Sequence, residues 1–235
     1  DAEAAITART RAIVVVSPNN PTGAVYPPET IRASFELARA RNLALVIDET
    51  YRDFLGDDAR PHELFGDADW PAAFVHLYSF SKVFCLTGYQ VGAIVADAAL
   101  VSQIAKAMDT IAICAPRIGQ AAAHWGLEHL GEWRAGNRLM MRARLDGFRQ
   151  AMARNDNGYR IASAGAYFAY VEHPFGDRKA EAVARRLADE QNLLSLPGSM
   201  FGEGQDRWLR FAFANVAAET MPSIAGRLAA DTARG

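Results

Sequence analysis

The sequence predicts an α/β protein in which a mostly parallel sheet is followed by a smaller α+β unit. Three observations support this fold class. Short runs of β-branched and aliphatic residues, typical of strands buried on both faces, are separated by a helical pattern in the first hundred residues. The period then becomes helical over a long stretch, and afterwards short strands and helices interleave. Half of the 235 residues are apolar, which suits one or two domains with a proper core.

The first part of the chain contains four predicted strands and one clear helix. The strands are predicted at 11–16, 43–47, 73–79 and 91–96. The helix is predicted from Pro27 to about Arg41, because proline is tolerated in a first turn and Glu29 lies near the positive end of the helix dipole. This alternation of strand and helix favours a parallel or mixed sheet.

The second part begins with three predicted helices and continues with short strands. The helices are predicted at 98–113, 117–129 and about 132–154, and the last has an apolar stripe that includes Met141 and Phe148. Further strands are predicted at 159–161, 166–172, 193–196 and 208–213, and further helices at 178–190 and 217–233. We therefore expect residues 1–136 to belong to a large domain and residues 137–235 to form a smaller C-terminal domain, which the long helix enters.

Composition excludes several classes of partner. The net charge is −2 and the basic residues are dispersed, so we expect neither nucleic acid nor an anionic membrane as partner. No apolar run approaches the ~20 residues of a membrane span, and the acidic N-terminus is not a secretory signal. Cys85 and Cys114 are isolated thiols, which favours a cytoplasmic location, and the five histidines lack the spacing of metal ligands.

Lys82 ends the segment Ser79-Phe80-Ser81-Lys82, which follows the predicted strand at 73–79. Because a core cannot host its charge, this lysine either extends its amine to water at the strand end or lies in a site. In a site, an amine whose pKa is lowered by its surroundings can condense with an aldehyde and then act as general base and acid. The neighbouring serine hydroxyls are placed to hydrogen-bond a phosphate.

Asp48 ends the predicted strand at 43–47, where ligands bind in α/β sheets. Three interpretations remain open from the residues alone. The carboxylate can hold a pyridine nitrogen protonated, so that the ring accepts electrons. Asp48-Glu49 can instead end a Walker B strand that binds Mg²⁺, although no Gly-x4-Gly-Lys-Ser/Thr loop occurs in this sequence. It can also simply cap a turn.

The positions of three other polar residues make them candidates for binding a ligand. Tyr51 lies three residues after Asp48, and Asn20 follows the first predicted strand, so both can reach one phenolate oxygen on a ring that Asp48 holds. Alone, Asn20-Pro21-Thr22-Gly23 is typical of a surface turn. Arg210 stands between apolar neighbours; it is either an ordinary strand arginine with its head in water or a bidentate clamp for a carboxylate.

Together and in this order, these segments resemble the class I and II aminotransferases, which are pyridoxal-phosphate enzymes of fold type I. Pro197-Gly198-Ser199-Met200-Phe201-Gly202 and the segment around Arg210 are also similar to that family. The resemblance runs from Ile13 to the final helix and corresponds only to the later part of an aminotransferase. From this, and from a start at Asp1 without Met, we expect a chain that lacks its N-terminal part.

The resemblance implies transfer of an amino group between an amino acid and a 2-oxo acid, with pyridoxal 5′-phosphate as cofactor. It implies a large cofactor-binding domain of fold type I, a homodimer and a cis bond at Asn20–Pro21. The implied cofactor contacts are Lys82 through a Schiff base, Asp48, Tyr51 and Asn20 at the ring, and Ser79 at the phosphate. The implied substrate contacts are Asn20 and Arg210, the latter at the α-carboxylate; Arg207 is the neighbouring alternative.

The chain departs from the family's pattern at Gln90. The segment Leu86-Thr87-Gly88-Tyr89-Gln90-Val91-Gly92 resembles one in which the family usually has arginine, paired with the cofactor phosphate, at this position. Glutamine carries no charge, so we expect weaker cofactor retention than is usual in the family.

Two alternatives to transamination stay open. The first keeps the cofactor and changes the reaction to that of a β-lyase, a decarboxylase or a cyclopropane-carboxylate synthase-like enzyme. The second is a non-catalytic domain that binds pyridoxal phosphate, either the sensing half of a transcription regulator or a degenerate paralogue. The absence of a matched upstream region and the glutamine at position 90 favour the second, whereas Lys82, Asp48 and Arg210 favour an enzyme.

Overall fold

The computed structural model describes residues 2–56, 60–154 and 157–234. Their contacts divide the chain into two compact units. The first unit contains residues 1–18 and 26–136, and the second contains residues 19–25 and 137–235. The division after Gly136 falls within the long helix α5, Gly131–Arg154.

The first unit is built on a four-stranded mixed sheet in the order β1-β2-β3-β4. The strands are β1 Ala12–Val16, β2 Ala44–Asp48, β3 Phe74–Ser79 and β4 Gly92–Val95. The first three are parallel to one another, and β4 pairs antiparallel with β3. The α/β fold class predicted from the sequence is therefore confirmed, with a mostly parallel sheet.

Helix α1 of the first unit, Pro28–Ala40, packs against β1 and β2, and further helices follow along the chain. They are α2 Phe80–Val83, α3 Ala98–Ile111 and α4 Arg117–His129. Helix α1 begins where Pro27 and Pro28 set its first turn, and it buries Phe35 completely. Phe35 belongs to a core cluster with Ile31, Leu45 and Ile47. Burying a side chain of this kind contributes about 1.5–3 kcal/mol.

The second unit contains an antiparallel sheet in the order β5-β6-β8-β7. Its strands are β5 Arg160–Gly165, β6 Phe168–Glu172, β7 Leu196–Pro197 and β8 Trp208–Ala212. Its helices, besides the later part of α5, are α6 Ala180–Gln191 and α7 Met221–Arg234. Fully buried side chains in this unit include those of Phe148, Leu187, Leu209, Phe213 and Leu228.

Short 3-10 turns complete the described structure. They are Glu3–Ala5, Arg52–Phe54, Leu64–Gly66, Trp70–Ala72, Thr87–Tyr89, Gly198–Phe201, Phe213–Asn215 and Ala218–Thr220. None of the helices in the described part of the chain combines the length and apolar character needed to span a bilayer.

Three elements differ from the sequence prediction. Lys82 lies on the one-turn helix α2 and not at the end of strand β3, because Ser79 caps that helix by accepting a hydrogen bond from Ser81 N. The strand predicted at 193–196 shortens to Leu196–Pro197, after Asn192 ends α6 in a left-handed conformation. Helix α7 begins at Met221, where Pro222 can occupy the first turn.

The segment Asn19–Val25 groups with the second unit, although the sequence places it in the first domain. Ser163 Oγ donates a hydrogen bond of 2.6 Å to Thr22 O. Gly23 has φ +69°, and a Cβ there would lie 2.2 Å from Phe168 O. Only glycine allows this close approach of two backbones, which attaches the segment to β5 and β6.

Candidate active site

The ends of two neighbouring parallel strands place Asp48 and Lys82 at the same edge of the first sheet. Asp48 is the last residue of β2 and is in register with Leu77 of β3. Lys82 follows on α2, which begins directly after β3 ends at Ser79. Because β2 and β3 run in the same direction, the carboxylate and the amine belong to one edge, where α/β sheets bind ligands.

The carboxylate of Asp48 is held by a short turn. Its Oδ1 accepts hydrogen bonds from Thr50 N at 2.9 Å and from Thr50 Oγ1 at 2.7 Å. Both bonds use the same oxygen, which leaves Oδ2 without a hydrogen bond from any residue that the structure describes. Asp48 is partly buried, and its main-chain oxygen accepts a bond of 3.0 Å from Ser17 N. One fixed oxygen and one available oxygen suit a carboxylate that binds a cationic N–H.

Lys82 carries a partly buried amine on an anchored helix. Phe80 and Val83 of α2 are buried, and Phe80 N donates a hydrogen bond to Val91 O. Within residues 2–56, 60–154 and 157–234, no side chain forms a hydrogen bond or an ion pair with Lys82 Nζ. The amine is thus not committed to another side chain of the described residues, as condensation with an aldehyde requires.

The remaining predicted residues of the first unit lie at the end of β3 and on the turns that follow β2 and α2. Tyr51 is buried at the turn after Asp48, with 6% of its surface exposed. Ser79 Oγ accepts the capping bond from Ser81 N, so its own hydroxyl hydrogen remains a donor. Gln90 is exposed in a left-handed conformation with φ 50°, and its Nε2 donates a bond of 2.7 Å to Thr87 O.

The second unit brings Asn20 and Arg210 together. Arg210 Nη1 donates a hydrogen bond of 2.9 Å to Asn20 Oδ1. The guanidinium carbon lies 4.6 Å from the ring centre of Phe168 and 5.0 Å from that of Phe201. Since the amide oxygen faces the cation, the amide N–H group of Asn20 is directed elsewhere as a donor. The Asn20–Pro21 bond is cis, as the resemblance implies, and so is Ser17–Pro18.

Arg207 has a different environment. Its Nη2 lies 2.9 Å from Glu172 Oε1, in an ion pair within the second unit. Glu172 also pairs with Arg160. Arg207 is thus engaged with a carboxylate that it shares with Arg160.

Sequence reasoning missed a buried charged network next to Asp48. Glu49 is 1% exposed, and its Oε2 lies 2.8 Å from His76 Nε2 and 3.0 Å from Arg52 Nη1. His62 Nε2 lies 3.4 Å from Glu49 Oε1. Burial raises the pKa of Glu49, but the bonds from His62 and His76 and the charge of Arg52 outweigh it and lower the pKa to about 2.

A signal for this network was present in the strand pattern. Leu45, Ile47 and Glu49 alternate along one face, so the glutamate continues a row of core-facing positions. His62 Nδ1 accepts a hydrogen bond from Leu64 N, which leaves the N–H of the neutral ring at Nε2 and directed to Glu49. The network therefore joins β2, β3 and the two turns that follow β2.

A second pair of polar groups lies on β3 and the turn after β2. Tyr78 donates a hydrogen bond to Asp53 Oδ2, and Arg134 Nη1 lies 3.6 Å from Asp53 Oδ1. Burial and the bond to Asp53 raise the pKa of Tyr78. Among the residues that the structure describes, no group of three or more His, Cys, Asp or Glu side chains could hold a metal ion.

Comparisons with known proteins identify the family of this chain. The family model described as aminotransferase class I and II matches residues 1–228. A putative aminotransferase of Bacillus subtilis, YugH, is 29% identical over 218 residues, which are 91% of this chain and 55% of the relative. Arginine–pyruvate transaminase AruH of Pseudomonas aeruginosa is 34% identical over 205 residues, or 85% of this chain and 50% of the relative.

A solved structure shows the same fold. That of N-succinyldiaminopimelate aminotransferase from Mycobacterium tuberculosis superimposes with a TM-score of 0.86 at 27% identity, over 98% of this chain and 60% of that chain. The chain spans about half the length of the curated relatives it matches.

Proposed function

Because the chain belongs to the class I and II aminotransferases, a family of pyridoxal-phosphate enzymes, we propose that the whole protein transfers an amino group between an amino acid and a 2-oxo acid. The observation that supports this proposal is that Asp48 and Lys82 lie at one edge of the sheet, each with a functional atom that no side chain of the described residues binds. The printed names of relatives such as arginine–pyruvate transaminase support the same reaction class.

The donor set of the first unit fits pyridoxal 5′-phosphate. The group requires an amine for its aldehyde, a carboxylate for its ring nitrogen and donors for its phosphate. Lys82 provides the amine, Asp48 the carboxylate through Oδ2, and Ser79 a hydroxyl donor. When bound, the protonated pyridine ring supplies an electron sink for the carbanion at the substrate α-carbon.

Each proposed site residue has a role that follows from its chemistry. With pyridoxal phosphate bound, Lys82 Nζ would hold the group through its aldehyde carbon and would serve as the base and acid for the substrate's α-proton. Asp48 would keep the ring nitrogen protonated. Tyr51 and Asn20 would donate hydrogen bonds to the phenolate oxygen, which would favour its ionised form.

Two further residues are proposed to bind anionic groups: Arg210 carries a charge and Gln90 does not. Arg210 binds the substrate α-carboxylate with its planar fork, a bidentate geometry that lysine lacks. Gln90 takes the position where the family usually has arginine, and it offers the cofactor phosphate an amide without charge.

The test is covalent trapping followed by a half-reaction. Borohydride treatment of the cofactor-loaded whole protein should attach the cofactor irreversibly to Lys82, as found by peptide mass mapping. An amino acid alone should then abolish the visible absorbance of the untrapped enzyme and release the matching 2-oxo acid. Labelling of another residue would contradict the assignment of Lys82. Product release with the absorbance retained would indicate a lyase or a decarboxylase instead.

We also propose that the whole protein is a homodimer in the cytoplasm. Large apolar side chains are exposed on and beside α3 and α4, among them Ile111, Ile118 and Trp125. An apolar face of this kind favours association with another protein surface. Cys85 and Cys114 are free and exposed, which suits a reducing compartment. Light scattering of the purified whole protein should give twice the mass of one chain, and a single-chain mass would contradict the dimer.

A further inference from the structure

The hydroxyl of Thr50 is directed at Asp48, which is the residue that we propose binds the ring nitrogen of the cofactor. Its Oγ1 donates a hydrogen bond of 2.7 Å to Asp48 Oδ1. The backbone N–H of Thr50 donates to the same oxygen at 2.9 Å. The backbone bond is an ordinary turn contact that any non-proline residue at position 50 makes. The hydroxyl bond requires serine or threonine.

Two donors on one carboxylate oxygen restrain the orientation of the carboxylate more than one donor does. A single bond leaves the carboxylate group able to rotate about its Cβ–Cγ bond, because that torsion is broad and roughly two-fold. Two donors from different directions define where Oδ1 lies, and they therefore define where Oδ2 lies. Thr50 is partly buried, so water competes less well for this oxygen than it would at an exposed turn.

We propose that Thr50 is a positioning residue, whose hydroxyl orients the carboxylate of Asp48 so that Oδ2 is the oxygen presented to the cofactor's ring nitrogen. This inference rests on the proposed function of Asp48. Thr50 acts only through Asp48 and touches neither substrate nor reacting atoms. An oriented carboxylate oxygen needs no reorganisation when it receives the ring N–H, which is the general advantage of a preorganised site.

The test compares variants at position 50 in the cofactor-loaded whole protein. Thr50→Val removes the hydroxyl at nearly constant volume, and Thr50→Ser keeps it. Thr30→Val is the matched control, because it makes the same side-chain change at an exposed position of α1. Two measurements are made on each protein: the dissociation constant of the cofactor, and the ¹⁵N chemical shift of the ring nitrogen in isotope-labelled cofactor.

The expected results distinguish the effect of the Thr50 hydroxyl from that of the rest of its side chain. Thr50→Val should weaken cofactor binding by about tenfold and move the ¹⁵N signal towards that of an unprotonated ring. Thr50→Ser and Thr30→Val should match the wild type in both measurements. Thr50→Ala gives the same comparison if Thr50→Val does not fold, since it also lacks the hydroxyl and cannot clash.

Two outcomes would overturn the inference. If the variants without the hydroxyl keep the wild-type ¹⁵N signal, the orientation of Asp48 does not depend on Thr50. If Thr50→Ser loses as much as Thr50→Ala, the methyl group and its packing are responsible. Failure of the proposed function is distinguished from both, because the wild-type protein would then show neither a trapped Lys82 nor a protonated ring nitrogen.

Discussion

Gln90 stands where the resemblance implies an arginine, and its surroundings indicate what a charge there would change. Its side chain is exposed and bonds to Thr87 O within its own turn. An arginine there would bring a permanent positive charge to the loop that follows α2 and Lys82. A charge-assisted hydrogen bond to a phosphate contributes on the order of 1.5–3 kcal/mol.

Gln90→Arg should therefore tighten cofactor binding by about tenfold or more, measured as the dissociation constant from visible absorbance. Gln150→Arg is the matched control, because Gln150 is exposed on α5 and adds the same charge elsewhere. Equal affinities of Gln90→Arg and the wild type would show that position 90 does not face the phosphate.

Variants of Arg210 and of its neighbour Arg207 test the proposed role of Arg210 in binding substrate. Arg210→Lys should lower kcat/KM by about 10- to 100-fold, because lysine loses the bidentate fork and the flat contact with Phe168 and Phe201. Arg207→Lys keeps a cation beside Glu172 and should change kcat/KM little. A loss of the same size in both variants, measured by steady-state kinetics, would contradict the assignment of Arg210.

At the scale of elements, the buried network around Glu49 joins the strand and the turn that carry Asp48 and Tyr51. The folded-state pKa of Glu49 is about 2, against an ordinary value of 4.5. A lowered pKa means that the ionised form stabilises the fold above about pH 4.5, and that this stabilisation is lost as the pH falls towards 2. The difference corresponds to on the order of 3 kcal/mol.

Chemical unfolding at several pH values checks whether the ionised form of Glu49 stabilises the fold. Glu49→Gln should be destabilised at neutral pH, and its free energy of unfolding should change less than that of the wild type between pH 4.5 and 2. Glu63→Gln is the control, because the Glu63 side chain is 78% exposed and pairs only with Arg60 across 3.9 Å. Parallel pH profiles of Glu49→Gln and the wild type would exclude Glu49 as the titrating group.

At the scale of the whole molecule, the two units are not two continuous stretches of chain, because the segment Asn19–Val25 groups with the second unit. We propose that residues 137–235 form the smaller domain together with Asn19–Val25, which is grouped with them by its contacts. Gly23 is the position on which this attachment depends, since its Cβ would meet the main chain of β6 and of Gly165. The segment also carries Asn20, the partner of Arg210.

Gly23→Ala should destabilise the second unit by about 1–3 kcal/mol, because alanine is strained at φ +69° and its methyl group has no room. Hydrogen exchange should increase in β5 and β6 and remain unchanged in β2 and β3. Gly136→Ala is the control, since a Cβ there meets nothing within 4 Å and alanine favours the helix. Unchanged exchange in β5 and β6 would show that the segment is not part of that unit.

The sequence by itself determined the fold class, the approximate elements and the family. Strand runs, helix periods and prolines are local signals, and Asn20-Pro21-Thr22-Gly23, Asp48 with Tyr51, and Lys82 keep their order along the chain whatever the packing. Only the tertiary structure decided which polar groups meet. The network of Glu49, His62 and His76 and the bond between Arg210 and Asn20 join residues far apart in sequence. Such contacts depend on strand pairing, so a local pattern indicates which side chains face the core but not which of them meet.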